Sequence, residues 1–332
     1  MRMIFKTVLA AIAVLCAGVV HAEETKQLRI GVQPGLTYLP QIVMQSQKLI
    51  EKKAGELGIQ RLEVQWFQSA GGNTMNDGLI SGSLDIASTG FPSFLVLWSK
   101  GYDRIPLKAI SSYGSTELKL VTRNPKVRSI EDLTSTDRIA VPAIKSSVQA
   151  MILQMAAAKK WGQDQYDKLD RLTIARSHAD AAVALLANSG EINSHFSAPP
   201  FLQKELADPG IKSVLSSEDV FGGPLSNGVT YLTEKFHKDN PTVVKAFKAA
   251  LLDAIDFINK EPAKAADIYI AATNDKSKPE EILSIIHGFK YEPAPRGLGQ
   301  LATFMKATGS IKHDVADWRD LFIEESRDLD GN

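Results

Sequence analysis

Residues 76–90 read NDGLISGSLDIASTG. Hydrophobic spacing predicts a helix over residues 73–81 and a short buried strand over residues 84–87, which ends in the small polar residues Ser88, Thr89 and Gly90. A second helix, over residues 92–100, is predicted directly after this turn. A strand that leads through a polar turn into a helix is typical of α/β proteins built from parallel βαβ units.

The same alternation continues on both sides of this stretch. Strands are predicted over residues 28–32 and 62–67, with a helix over residues 40–56 between them, and a further strand lies near residues 107–111. A second series then begins, with strands at 118–122, 138–141, 172–175 and 192–196 and helices at 147–160 and 179–188. From residue 228 the chain returns to a strand at 229–232 and becomes mainly helical, with helices at 241–259, 262–273, 279–287, 298–308 and 315–322.

This interrupted pattern predicts two lobes. A chain of 332 residues is longer than one hydrophobic core usually accommodates. We expect an α/β fold in which residues 23–115 and 225–332 form lobe 1 and the inserted residues 116–224 form lobe 2. The crossing segments, near residues 113–118 and 225–231, make a two-segment hinge, which suits a cleft that closes on a ligand.

The N-terminus has the order of a secretory signal. Arg2 and Lys6 give the first residues of the chain a positive charge, and an apolar run follows over residues 8–20. Ala22 then supplies the small residue that cleavage requires. The apolar run is shorter than the roughly 20 residues that span a bilayer, so a retained anchor is the less favoured alternative. We therefore expect a signal peptide at residues 1–22, cleavage after Ala22, and a periplasmic mature protein.

Composition and motifs exclude several functions. The formal net charge is zero and no stretch is strongly basic, which argues against nucleic-acid binding. The one cysteine, Cys16, lies in the predicted signal, so no disulfide, cysteine–metal site or thiol nucleophile is expected after cleavage. The histidines lack metal-ligand spacing, and the sequence has no P-loop, nucleophile elbow or dinucleotide fingerprint. No cofactor and no enzymatic activity are expected.

Small polar turns follow four of the predicted strands. Ligands of open parallel sheets bind beyond the carboxyl ends of strands, where helix N-termini attract anions. Helix capping explains each turn equally well when it is taken alone, and Ser146 with Gln149 fits a capping box. The candidate ligand-binding residues from these turns are Gln33, Gly35, Leu36, Tyr38, Ser69, Gly71, Gly72, Thr89, Gly90, Ser146 and Ser147.

Two histidines lie at the ends of predicted elements in the second series. His195 ends a strand and is a candidate for lining the cleft, although a role in fixing the following loop is equally compatible with the sequence. His178 precedes a helix, and a structural role is favoured for it.

In succession, these segments resemble the substrate-binding proteins of ABC importers for nitrate, sulfonates and taurine, a group also described as NMT1/THI5-like. The resemblance covers nearly the whole predicted mature chain and is carried by residues 28–35, 67–72, 76–90, 139–142, 195–201 and 309–312, with Trp318. It implies a type II periplasmic binding fold, with an inner-membrane permease and an ATPase as partners. It also implies ligand contacts on the four turns and on Ser115 and Thr116 of the first crossing segment. His195 and Ser197 complete the predicted set.

The sequence leaves the ligand open. No arginine lies in the predicted turns, so neutral dipoles and hydroxyls are expected to hold an anion, with Lys145, Arg176 and Arg296 as possible charge partners. A sulfonate with an organic tail suits the small polar turns; nitrate, an aromatic acid and a pyrimidine precursor are alternatives. A sensor subunit and a secreted hydrolase on the same fold also stay open. A monomer is expected.

Overall fold

The computed structural model describes residues 24–69 and 71–332. The predicted signal peptide at 1–22, its cleavage point after Ala22, and Ala70 lie outside these residues. Within the described ranges, no helix combines the length and apolar character needed to cross a membrane. The same ranges contain no cluster of three or more His, Cys, Asp or Glu side chains placed to hold a metal ion.

The strands form two separate sheets. In chain order they are β1 (Gln27–Val32), β2 (Glu63–Gln68), β3 (Ile86–Thr89), β4 (Leu107–Ser112), β5 (Lys119–Thr122), β6 (Ile139–Val141), β7 (Thr173–Ala175), β8 (Ser194–Ser197), β9 (Lys212–Ser216) and β10 (Val229–Thr233). The first sheet has the order β2-β1-β3-β10-β4 and the second β7-β6-β8-β5-β9. The strands of the second sheet all lie within the predicted lobe 116–224, while the lobe boundaries themselves stay a prediction.

Each sheet contains one strand that is antiparallel to its neighbours. The sequence analysis, which predicts parallel βαβ units, does not anticipate these two strands. Strand β10 pairs antiparallel with β3 and β4, and β5 pairs antiparallel with β8 and β9. The reason is the path of the chain. It leaves the first sheet at the carboxyl end of β4 and returns at the same edge before β10, so β10 must run in the opposite direction.

Helices cover both sheets. They are α1 (Leu39–Gln47), α2 (Leu49–Glu56), α3 (Gly72–Ser81), α4 (Phe91–Gly101), α5 (Val148–Trp161), α6 (His178–Leu186), α7 (Phe201–Leu206), α8 (Ser217–Phe221), α9 (Glu234–Asp239), α10 (Pro241–Lys260), α11 (Pro262–Thr273), α12 (Pro279–Ile286) and α13 (Leu298–Ala307). The apolar stripe predicted for α10 is buried, with Phe247 and Leu251 fully inaccessible, and it packs against α1 and α2.

Two predicted helices are wrong in form. The helix expected over residues 40–56 is divided into α1 and α2 because Lys48 adopts a left-handed backbone with φ of 52°. The helix expected over residues 315–322 is a short 3₁₀ turn at Trp318–Leu321. The side chain of Asp317 accepts a hydrogen bond from the Arg319 N–H there, and such local bonds compete with a continuing α-helix.

The crossing segments lie side by side between the two sheets. Ser115 forms bridges with Ser226 and with Lys290, and the Asn227 N–H donates to the Gly114 carbonyl at 3.0 Å. Hydrogen bonds therefore tie the outgoing and returning segments together at the place where the sequence predicts the hinge.

A buried carboxylate fastens the start of β6, and it provides a first test of the fold. Asp137 accepts hydrogen bonds from Thr134, Asn124 and Asn193. Burial alone would raise the pKa of Asp137, but these hydrogen bonds outweigh it, and the pKa is lowered. The carboxylate therefore stabilises the fold above its unfolded pKa of about 3.9, and this contribution is lost as pH falls through the lower folded value.

We expect Asp137→Asn to reduce the free energy of unfolding at neutral pH by about 1–3 kcal/mol. The substitution replaces one of the two accepting oxygens with an NH₂ group, which cannot accept the hydrogen bonds that the neighbouring groups donate. Urea unfolding at neutral pH and near pH 3 measures the difference, which should shrink in acid because the carboxylate of the unfolded wild-type chain takes up its proton before the folded one does. The exposed Asp164→Asn is the matched control. A difference that is equally large at both pH values would contradict the assignment.

Candidate functional site

Four helices begin at one cavity between the two sheets. Helix α3 starts at Gly72, α4 is preceded by its N-cap Gly90, α5 by its N-cap Ser147, and α6 starts at His178. All four of these residues line the cavity, together with Gln33, Pro34, Thr37, Tyr38, Ser93, Leu118, Pro142, Val148, Gln149, Ala198, Pro199 and Asn227. The cavity lies where strands end and helices begin, as the sequence predicts for a ligand site.

The cavity is small. Its volume is about 40 Å³. A water-sized group needs roughly 10–15 Å³ measured in this way, so the space corresponds to about three such groups. This space accommodates a group of a few heavy atoms.

The electrostatic character of the site comes from backbone dipoles. The first N–H groups of a helix have no acceptor inside the helix, and the N-terminus carries partial positive charge. No Lys, Arg, Asp or Glu is among the residues that line the cavity in the described part of the chain. The three possible charge partners pair elsewhere: Lys145 with Asp170, Arg176 with Glu191 and Arg296 with Glu292.

Asn227 contributes an amide donor to the cavity. Its side-chain oxygen accepts a hydrogen bond from the Thr116 N–H at 2.5 Å, which fixes the orientation of the amide. Its Nδ2 is buried and has no hydrogen-bond partner within the described residues. Only 7% of the residue is exposed, so Asn227 brings a buried donor without an acceptor from the described residues to the cavity lining.

A histidine pair leads away from the cavity into the second sheet. His178 Nε2 lies 3.1 Å from Gln149 Nε2, and His178 Nδ1 lies 2.8 Å from His195 Nε2. His195 Nδ1 lies 2.6 Å from the Oε1 of Glu205. Burial, reinforced by the neighbouring His195, lowers the pKa of His178 well below the ordinary histidine value, so His178 is neutral.

The two sides of the cleft touch around the cavity. Ser93 Oγ donates to the Ser146 carbonyl at 2.9 Å, and Ser146 Oγ lies 3.0 Å from the Asn73 side-chain oxygen. Gly71 approaches so closely that an added Cβ would lie 2.5 Å from the carbonyl oxygen of Pro142. The structure therefore has its two sheets drawn together over the cavity.

Five of the predicted site residues line the cavity: Gln33, Tyr38, Gly72, Gly90 and Ser147. Others lie immediately behind or beside it. Gly35 has φ of 118°, and a Cβ added there would lie 3.5 Å from the Pro199 carbonyl oxygen and from the Phe201 ring. Gly71 and Ser146 take part in the contacts between the two sides. The capping-box interpretation of Ser146 is wrong, because the N-cap of α5 is Ser147, which accepts from the Ala150 N–H.

The remaining predicted residues lie away from the cavity lining. Leu36 is in the core, with its carbonyl held by the Tyr291 hydroxyl, and Thr89 is buried against Tyr231. Ser69 closes its own turn by donating to the Gly71 carbonyl. The others occupy the crossing segment or β8: they are Ser115, Thr116, His195 and Ser197.

Sequence reasoning missed the two side chains with the most distinctive chemistry. Asn227 lies inside the predicted second crossing segment, and an asparagine there was the available signal. His178, for which the sequence favours a structural role, also lines the cavity at the start of α6. Gln149 was noted only as a capping residue.

Comparison with known proteins supports the same picture. The model of the NMT1-like family matches residues 21–272. No curated protein matches the chain in sequence.

Solved structures match over most of the chain. The alkanesulfonate-binding protein SsuA from Xanthomonas axonopodis pv. citri, bound to MOPS, has a TM-score of 0.66 and 19% identity, covering 86% of this chain and 92% of its own. The periplasmic nitrate-binding protein NrtA from Synechocystis has a TM-score of 0.61 and 15% identity, covering 79% and 70%. A Candida albicans protein with the generic periplasmic binding protein fold has a TM-score of 0.65 and 16% identity, covering 87% and 92%. The expected periplasmic binding fold is confirmed.

Proposed function

Because the chain belongs to the NMT1-like family, we propose that it is the periplasmic solute-binding component of an ABC importer and that it binds a small anion in the cleft. One observation carries this proposal: four helix N-termini and the unpaired Nδ2 of Asn227 converge on a single cavity. Convergent N–H donors are a ready-made anion site.

The neutral lining favours a weakly hydrated, spread-out anion. A fully desolvated anion is costly to bury unless donors surround it, and the cavity offers donors from several directions without a cationic side chain. A sulfonate or a nitrate distributes one negative charge over three oxygens, which suits several separate donors. Relatives of the fold are named for alkanesulfonate and for nitrate. We propose a sulfonate of the taurine type as the solute, with nitrate as the nearest alternative.

The cellular location and the partner proteins are part of the same proposal. Residues 1–22 direct the chain to the periplasm, with cleavage after Ala22, and the closed form presents both sides of the cleft to a membrane permease served by an ATPase. We propose that the protein acts as a monomer, because both sides must be accessible to that partner.

Thermal unfolding against a panel of solutes tests the binding function. The panel consists of methanesulfonate, taurine, nitrate, bicarbonate, benzoate and a pyrimidine, with sodium chloride at equal ionic strength as the control. A ligand that binds only the folded state stabilises it by about 2.7 kcal/mol at a hundredfold excess over its Kd. We expect the largest rise in Tm with methanesulfonate or taurine.

Each alternative result has a defined meaning. A rise in Tm with nitrate alone replaces the proposed solute and keeps the anion site. A rise only with the pyrimidine contradicts the anion site. No rise with any solute, in protein refolded to remove carried-over ligand, contradicts the binding function.

A further inference from the structure

The chain of hydrogen bonds that begins at His178 joins the cavity to a buried carboxylate. His178 lines the cavity on α6, His195 lies on β8, and Glu205 lies on α7; His195 and Glu205 have no exposed surface. Only one oxygen of Glu205 is engaged. Its Oε2 is buried without a hydrogen-bond partner in the described part of the chain.

Counting protons gives one arrangement in which Glu205 is ionised and both histidines are neutral. Gln149 Nε2 donates to His178 Nε2, His178 Nδ1 donates to His195 Nε2, and His195 Nδ1 donates to Glu205. This arrangement leaves an uncompensated negative charge in the interior, which is expensive. It also makes His178 Nε2 an acceptor that is occupied by Gln149, so His178 offers no donor to an anion in the cavity.

One additional proton changes both properties. The proton adds to His178 Nε2, and the proton on His178 Nδ1 passes to His195 Nε2, so only N–H bonds are made and broken. His195 is then a cation paired with Glu205, and the pair has no net charge. His178 is neutral and presents Nε2–H as a donor. This agrees with the lowered pKa of His178, to which burial and the neighbouring His195 both contribute.

Other ionisable groups on the surrounding elements are engaged elsewhere. On β5, Lys119 pairs with Glu117, and on α7, Lys204 pairs with Asp275. Further charged groups lie on or next to the packed elements and are also engaged. With their partners, they are Asp180 of α6 with Ser177, Arg123 after β5 with Asp208 and the Leu185 carbonyl, Arg138 before β6 with the Ser135 and Asp137 carbonyls, Lys145 before α5 with Asp170, Arg176 before α6 with Glu191, and Lys159 and Lys160 of α5 with the Asp219 carbonyl and Glu131. Phe201 stacks on His178, and the buried Tyr38, whose pKa is raised by burial, is neutral.

We propose that His178 is the hydrogen-bond donor that selects an anion in the cleft, and that the His195–Glu205 pair behind it takes up one proton from solvent as the anion binds. This inference rests on the proposed function of the cleft and deepens it. Gln149, which donates to His178 in the first arrangement, is released to turn its amide towards the anion. The site thus accepts an anion and a proton together.

Titration calorimetry measures the linked proton directly. The probe is whichever of methanesulfonate, taurine, nitrate and benzoate raises Tm most, titrated into the wild-type protein in buffers of different ionisation enthalpy from about pH 6 to about pH 9. We expect an uptake of about one proton per anion, and an affinity that falls by up to about tenfold per pH unit wherever the unliganded protein has lost the linked proton.

Two variants distinguish proton uptake through His178, His195 and Glu205 from a purely structural role of these residues. Glu205→Gln keeps the shape of the side chain but removes the charge that holds the proton on His195, and we expect proton uptake to disappear. His178→Gln keeps an N–H near the cavity but breaks the link to His195, and we expect both loss of proton uptake and an affinity independent of pH. A merely structural role would lower affinity equally at every pH. His237→Gln, on α9, is the control and should retain the wild-type proton uptake.

The outcomes distinguish the two proposals. Anion binding without proton exchange at any pH, or wild-type proton uptake in Glu205→Gln, overturns the proposed proton uptake by the His195–Glu205 pair. Either result leaves the proposed binding function unaffected. Failure of all four anions to bind overturns both proposals. If Glu205→Gln does not fold, the wild-type proton count and the pH profile of His178→Gln still decide the matter.

Discussion

Gly71→Ala is expected to lower the affinity for the anion about 5- to 150-fold while leaving the unliganded protein as stable as the wild type. Gly71 has φ of −168°, an extended conformation that alanine adopts freely. The added Cβ would lie 2.5 Å from the carbonyl oxygen of Pro142 on the opposite side of the cleft. Overpacking of this kind costs about 1–3 kcal/mol, and each 1.4 kcal/mol corresponds to about tenfold in affinity. The cost falls on closure because the contact exists only when the two sides meet.

Titration calorimetry gives the affinity of this variant, and thermal unfolding without ligand gives its stability. Gly223→Ala is the matched control, since nothing lies within 4 Å of a Cβ built there. If Gly71→Ala binds as tightly as the wild type, then closure over Pro142 is not part of binding. If the unliganded variant loses as much stability as it loses affinity, the contact belongs to the fold and not to closure.

Asn227→Asp is expected to weaken anion binding at least about 100-fold. The substituted side chain can still accept from the Thr116 N–H, as the asparagine oxygen does. It replaces the buried, unpaired Nδ2 donor with a second negatively charged oxygen. Loss of a hydrogen bond to a charged group costs about 1.5–3 kcal/mol, and repulsion between like charges adds to it.

The Kd of the same anion, measured by calorimetry at neutral pH, checks this prediction. Asn188→Asp adds the same charge at an exposed position beyond the C-terminal end of α6 and should leave the Kd unchanged. An unaltered Kd in Asn227→Asp would mean that Nδ2 does not contact the anion. Comparison with Asn227→Ala removes the added charge, because alanine deletes both the donor and the oxygen that accepts from the Thr116 N–H without introducing repulsion.

Local sequence predicts the elements and the places where helices begin, because both depend on neighbouring residues. The apolar spacing in α10 identifies its buried face, and the polar turns before α3, α4 and α5 identify three of the four helix N-termini at the cavity. The direction of β10 is different. Alternating hydrophobicity is the same for a strand read in either direction, so only the path of the chain determines that β10 is antiparallel.

The site depends on contacts between distant residues, which explains what sequence reasoning missed. Asn227 is oriented by an N–H that lies 111 positions away, in Thr116. His178 meets His195 because β6 places β7 and β8 on its two sides, so that the helix after β7 begins beside β8. Neither relation has a signature in a short window of residues. A lone asparagine in a linker and a histidine before a helix are ordinary features until the sheets bring them together.

The position of β10 between β3 and β4 also determines the order in which the two sheets can form as the chain is synthesised. The second sheet uses residues 119–216, so all its strands are available once that stretch of chain exists. The first sheet must wait for Val229–Thr233, which fills the gap between strands that ended more than a hundred residues earlier. Until then β3 and β4 each expose an unpaired edge, the kind of edge that attracts other chains. A chain interrupted shortly before residue 229 would contain a complete second sheet and a divided first one.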